Sequence, residues 1–326
     1  MSEGGRPEEP ASSARWPPWS PAGAAWTRLE ARRDRDLLRV TLADPERANA
    51  LSPALIAELT ALYRAPLREA GIRAVLLAGR GRNFSAGADL EHLRAVAAAG
   101  EEENRRDSAR LRGLFAAVLR QEALTIALVH GACVAGGCGL ATAHDFVIAA
   151  EDARFLYSEV RIGFVAALVA TFLPLRLRGA DIRELLLFPR FLDARQALAI
   201  GLVNRVVPAD DLAAMGGKLA AEVLETGSSE SIARTKRLLL DPLGRPHEEA
   251  LDLAAVGESL AVEVLETGSS ESIARTKRLL LDLLGRPLED ALERAAAANA
   301  EARATADCQR GIATFLATKQ PPRWRE

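Results

Sequence analysis

Apolar positions along the chain fall into two rhythms. Residues from Leu37 to Leu42 read as a strand, and the stretch from Pro53 to about Glu69 spaces its apolar residues as an amphipathic helix does. The run from Ile72 to Ala78, IRAVLLA, is almost continuously apolar and ends in GRGRN, which suits a strand covered on both faces. The same grammar recurs: Leu124 to Val129 is apolar and ends in a Gly-rich turn, a helix is expected from about Gly137 to Ala143, and a strand from Phe146 to Ala149. Strands alternating with helices predict an α/β core. Beyond Pro208 the strand signals vanish, and alternating Ala, Leu, Glu and Arg predict a mostly helical region to the end.

Two stretches stand outside that rhythm. Residues 1–25 are rich in Pro, Gly, Ser and Glu, with too little apolar surface to offset the entropy of ordering, so a disordered tail is expected. The alternative is a short segment whose Trp16 and Trp19 dock on the body. The second stretch is a repetition: EVLETGSSESIARTKRLLLD occurs at 222–241 and again, letter for letter, at 263–282. Two copies are too few for a solenoid, and strict identity exceeds what packing demands, so a tandem duplication of 41 residues, the offset between the two copies, is the reading. The expected layout is a tail over 1–25, a core over 26–208 and a helical region over 209–326. Without the tail and one copy, roughly 260 residues remain, the size of one enzyme domain.

Composition narrows the class. The formal charge is −2, from 42 basic and 44 acidic residues mixed along the chain, so no phosphate-tracking surface and no nucleic-acid partner is expected. No apolar run approaches the roughly 20 residues of a membrane span, and the N-terminus lacks the order of a secretory signal, so no membrane partner is expected. Three cysteines and four histidines suit neither a disulfide framework nor a metal site. A cytoplasmic protein with a small-molecule partner and no metal fits these numbers.

The chemistry concentrates in two Gly-rich turns, NFSAGADL at 83–90 and HGACVAGGCGL at 130–140, each following an apolar strand. Small residues let backbone N–H groups approach a ligand closely, and a turn that opens a helix, as Gly136-Gly137 does, favours developing negative charge. Neither turn matches the phosphate loop or the dinucleotide fingerprint. Asp145 is expected to anchor the strand that follows it, His144 to be structural, and Cys133 and Cys138 to be buried as small apolar residues. Trp26 and Trp324 read as packing residues.

FSAGADL, HGACVAGGCGLATAHDFVIAAEDARF, YSEVRIG and ARQALAIGLVNRVVP, in this order and spacing, resemble the enoyl-CoA hydratase/isomerase (crotonase) superfamily. The resemblance runs from about Leu37 through Pro208 and resumes from LEDALERAAAANAEA to RGIATFLATKQPPRW. It implies a crotonase-like spiral of repeated ββα units with a helical C-terminal region, homotrimers or homohexamers, and an acyl-CoA substrate whose coenzyme A is part of the substrate, with no separate cofactor. Carried over by position, the N–H groups of Ala88 and Gly136 hold the thioester oxygen and Glu159 moves protons. Arg47, Ala86, Asp89, Leu90, Gly139 and Lys319 fall at substrate-binding positions. Gly139 stands where two-glutamate hydratases carry a second glutamate, which leaves one carboxylate. SEVRIG with Gly139 is similar to a bacterial branch that includes methylglutaconyl-CoA hydratase-like proteins, whereas GACVAGGC is similar to Δ3,Δ2-enoyl-CoA isomerases. The expected activity is hydration of 2-enoyl-CoA, the alternatives being isomerisation by the same glutamate and a catalytically silent acyl-CoA-binding protein.

Overall fold

The computed structural model describes residues 16–21, 24–240, 269–283, 286–322 and 324. They form an α/β protein that divides into two compact units, and the units interleave along the chain. One takes the residues through Gly87, Leu114–Phe155 and Leu192–Arg237; the other takes Ala88–Gly113, Leu156–Phe191 and the residues from Leu238 on.

The first unit is built on a six-stranded sheet of β1 (Leu29–Asp34), β2 (Leu37–Leu42), β3 (Ala74–Gly79), β4 (Leu124–Val129), β6 (Phe146–Ala150) and β9 (Arg205–Val207), in spatial order β1-β2-β3-β4-β6-β9. β1 and β2 form an antiparallel hairpin, and every later pairing is parallel. β4 is buried at all six positions, as the unbroken apolar run required. A second, three-stranded sheet orders β5 (Ala132–Val134), β7 (Arg154–Leu156) and β8 (Leu192–Asp193).

The helix α1 (Pro53–Arg64) is held at its start by Ser52, whose Oγ accepts from Leu55 N. It ends five residues before the predicted limit at Glu69, because Ala65 precedes Pro66 and takes extended angles (φ −63°, ψ 145°). One face of the sheet packs Leu76, Ile126, Leu128 and Ile148 against Leu212, Leu219 and Ala220 of α8 (Leu212–Thr226). The first unit also holds α4 (Gly136–Thr142), α7 (Ala194–Ala199) and most of α9 (Ser229–Leu240).

Residues 1–15 of the expected tail lie outside the described residues. Trp16 to Pro21, which fall inside that expected tail, instead run along β1: Trp19 N donates to Ala31 O at 2.8 Å and Arg33 N to Pro17 O at 3.1 Å. An edge strand offers exactly such unpaired backbone groups. The Arg39 guanidinium stacks 4.5 Å over the Trp16 ring, and Trp26 Nε1 donates to Trp19 O.

The second unit is mostly helical. It comprises α2 (Leu90–Ala98), the start of α3 (Glu101–Arg120), a 3₁₀ turn at Glu159–Ile162, α5 (Ala167–Ala170), α6 (Gly179–Leu187), α10 (Ser270–Asp282), α11 (Leu288–Arg303) and α12 (Ala306–Thr318). Among the described residues past Val207 no strand occurs. No described helix is long and apolar enough to cross a membrane.

Candidate active site

The two Gly-rich turns meet in the first unit. Phe84 N donates to His130 O (3.0 Å), Ser85 N to Ala132 O (3.3 Å) and Val134 N to Ser85 O (2.9 Å), so that Ser85 and Cys133 form a parallel bridge. Asn49, buried completely, braces the first turn by donating its amide to the carbonyls of Arg80, Asn83 and Phe84. Two glycines make the approach sterically possible. Gly87 has φ +81°, and a Cβ there would lie 2.5 Å from Val134 O and 3.2 Å from Gly136 N; one on Gly137 would lie 2.7 Å from Ser85 O.

Gly136 is the first residue of α4, and the preceding Ala135 is held at φ 47°, ψ −119°, a conformation that costs an alanine energy and persists only where the surroundings enforce it. The first N–H groups of a helix have no intrahelical acceptor. Among the described residues no acceptor partners the N–H of Gly136 or of Ala88, the residue after Gly87. Gly139 is buried within α4, its N–H bonded to Ala135 O at 3.1 Å. Ala86 is exposed with its N–H tied to Ala48 O, and Arg47 is an exposed residue closing the 3₁₀ turn Pro45–Arg47.

His144 takes a structural place. Its Nδ1 faces Leu140 O at 2.8 Å and so carries the proton, leaving Nε2 to accept from the Tyr63 hydroxyl at 2.7 Å. Asp145 anchors the start of β6 against β4 by accepting from Thr125 N and Thr125 Oγ1, with Lys236 Nζ at 2.6 Å. Cys133 and Cys138 are buried, and burial pushes the Cys133 thiol up in pKa, as befits packing residues. Among the described residues no group of His, Cys, Asp and Glu is placed to hold a metal.

In the second unit Asp89 caps α2, its carboxylate accepting from the N–H groups of Glu91 and His92, both at 3.1 Å, and Leu90 opens that helix. Lys319 is exposed and ends α12 with φ 57°. Glu159 begins the 3₁₀ turn that Gly163 closes at φ +71°. Its side chain is 7% exposed, and Oε2 has no hydrogen-bond partner among the described residues. Burial pushes its carboxyl up to about 7, against the opposing pull of backbone N–H groups at Glu159 and Ser158. A carboxyl titrating near neutrality with a bare oxygen is suited to taking up and returning a proton.

Sequence reasoning passed over what holds this turn. Ser269 N donates to Val160 O at 2.9 Å, the Ser272 hydroxyl donates to Phe164 O, and Trp324 Nε1 donates to Arg161 O at 2.9 Å. The Ser-Ser pair ahead of a helical run was a legible capping signal, and Ser269 Oγ does accept from Ser272 N. Nothing in the sequence marked what else those serines would meet.

The sequence profile of the enoyl-CoA hydratase/isomerase family matches residues 32–256, more than half of the chain. A Thermus thermophilus protein named "Putative enoyl-CoA hydratase" is 45% identical over 201 residues, 62% of this chain and 79% of the relative. The human mitochondrial Delta(3,5)-Delta(2,4)-dienoyl-CoA isomerase is 32% identical over 217 residues, covering 63% of this chain and 66% of its own length. Among solved structures, an enoyl-CoA hydratase/isomerase from Xanthobacter autotrophicus Py2 superposes with a TM-score of 0.65 at 27% identity, over 90% of this chain and 94% of that one. The α/β fold with its closely laced Gly-rich turns, the family profile and these relatives agree, and the chain belongs to the enoyl-CoA hydratase/isomerase family of enzymes.

Proposed function

We propose that this enzyme hydrates 2-enoyl-CoA thioesters to 3-hydroxyacyl-CoA. The observation that carries the reading is the buried Glu159 carboxyl, raised to about 7 with Oε2 unpartnered. In its ionised form Glu159 takes a proton from water as the oxygen attacks the β-carbon; the resulting acid then delivers a proton to the α-carbon. The N–H groups of Ala88 and Gly136 hold the thioester oxygen while the intermediate is an enolate, a contribution of about 3 to 4 kcal/mol for each such donor. Support comes from the unpartnered N–H of each residue and from the strained Ala135 that presents Gly136. Arg47, Ala86, Asp89, Leu90, Gly139 and Lys319 are assigned to the binding of the acyl-CoA, and the assembly to a trimer or hexamer. The substrate brings its own coenzyme A, and no further cofactor enters.

A second reading is favoured by Gly139, which supplies no second carboxylate, and by the isomerase among the relatives. In it Glu159 removes a proton from C2 of a 3-enoyl-CoA and returns it to C4. Purified protein incubated with crotonyl-CoA separates the readings: hydration removes the conjugated-enoyl absorbance, whereas an isomerase leaves it unchanged and converts 3-enoyl-CoA instead. Glu159→Gln is expected to lower turnover by about 10² to 10⁴ in either case. Wild-type turnover in that variant overturns the assignment, and CoA-ester binding without turnover by the wild type identifies a silent binding protein.

A further inference from the structure

The two copies of the repeated sequence form two helices that use opposite faces. In α9 the buried positions are Ala233 and, in part, Lys236, whose ammonium reaches Ala123 O (2.7 Å) and Asp145 (2.6 Å); Arg73 Nε meets Ser229 Oγ at 2.6 Å. In α10 the equivalents of the first two, Ala274 and Lys277, are exposed. Its buried positions are instead Ser272, Thr276 and Leu279, with the capping Ser269. Their twins in the first copy, Ser228, Ser231, Thr235 and Leu238, are all exposed. At about 100° per residue the two buried stripes lie roughly 180° apart on one helical wheel.

The body of α10 packs against α5, α6, α11 and α12, and its N-terminal end, Ser269 and Ser272, bonds to the segment that carries Glu159. Three of that segment's carbonyls are taken: Val160 O by Ser269 N, Phe164 O by the Ser272 hydroxyl and Arg161 O by Trp324 Nε1. The Phe164 N–H in turn donates to Glu159 O at 2.9 Å, so Ser272 holds the residue that bonds the glutamate's own carbonyl. Ser269 Oγ also donates to Asp307, at the start of α12, whose backbone leaves no room for a side chain at Gly163: a Cβ there would lie 2.5 Å from Cys308 N.

We infer that Ser269 and Ser272, in the second copy of the duplicated segment, are positioning residues for Glu159, and that the first copy takes no part in that task. The inference deepens the proposed function and rests on it for its catalytic consequence. Identical sequence makes the first copy a built-in control, because Ser231→Ala and Ser272→Ala make the same change in the same local context.

The full chain and its Ser231→Ala, Ser272→Ala and Glu159→Gln variants are assayed with crotonyl-CoA and with 3-enoyl-CoA across pH. The Glu159 titration midpoint is read separately, from the pH dependence of unfolding relative to Glu159→Gln in each background. Ser272→Ala is expected to lower kcat about tenfold with KM little changed, since a loosened turn misplaces the carboxyl. It should also move the midpoint down from about 7, because water gains access to the carboxyl. Ser231→Ala should match the wild type in both. Superimposable kcat and midpoints for the Ser231 and Ser272 variants overturn the inference. If Ser272→Ala does not fold, Ser269→Ala against Ser228→Ala makes the same comparison. Wild-type turnover in Glu159→Gln overturns the proposed function alone, and the midpoints then still decide whether the second copy positions the turn.

Discussion

Arg303 Nη1 and Asp107 Oδ2 meet at 2.8 Å with both side chains almost wholly sealed from solvent, at 2% and 6% exposure. The other Asp107 oxygen faces His92 Nε2 at 2.8 Å, and the Arg303 guanidinium lies 5.7 Å from the ring of Phe164. A buried ion pair adds little net stability, because desolving two charges offsets most of their attraction, but losing one partner strands the other. Asp107→Asn is therefore expected to destabilise the protein by about 3 to 5 kcal/mol in urea unfolding. Arg303→Met added to it should restore most of that loss, and a double variant no more stable than the single would show that the pair does not act as a unit.

Glu159 makes stability depend on pH in a direction opposite to most carboxylates. Its folded value, about 7, lies above the ordinary value of about 4.3, so between these limits the folded state binds more protons than the unfolded state. Stability from this group is complete below about pH 4 and is lost as pH rises to 7, by a total on the order of 3 kcal/mol. Glu159→Gln removes the titration, so its stability relative to wild type should climb through that window and level off above it. A flat difference between the two proteins from pH 4 to 8 would place the carboxyl at its ordinary value.

Much of the sheet was legible because β2 and β4 carry their own apolar runs, bounded by polar turns, and the structure sets them at the same limits, Leu37–Leu42 and Leu124–Val129. The hairpin strand β1, LEARRD, escaped because an edge strand with one covered face carries only Leu29 and Ala31 as core residues. The Gly-rich turns could be read as a ligand-facing pair only together, since each alone is a turn after a strand; their contact at Gly87 depends on registers between strands that no local pattern encodes. Least legible was the duplication. Identical letters cannot tell which face each copy buries, because that choice is made by partners distant in sequence, Asp145 for one and Phe164 for the other.

Two glycines with positive φ separate steric from conformational cost. Gly100 sits at φ +97° with open space around the position of a Cβ, whereas Gly87, at φ +81°, has Val134 O only 2.5 Å from it. Gly100→Ala should cost about 1 kcal/mol, the strain of an alanine in the left-handed region. Gly87→Ala adds a backbone collision between the two turns and should cost clearly more, with a loss of turnover that Gly100→Ala lacks. Equal costs in thermal unfolding would mean that the turns do not press together at Gly87.

Lys236 and Lys277 are one residue of the repeat in two settings. The first is nearly sealed, 10% exposed, with its ammonium 2.6 Å from Asp145 Oδ2, and Asp145 also fixes Thr125 at the start of β4; the second is exposed. Lys236→Met leaves Asp145 without its cation in a half-closed site, so a loss of about 1 to 3 kcal/mol is expected. Lys277→Met changes a solvated position and should stay within about 0.5 kcal/mol of wild type. The comparison also tests which copy is seated on the first unit. If the two substitutions exchanged their effects, the second copy would be the one packed beside Asp145, and the division of labour between α9 and α10 would be reversed.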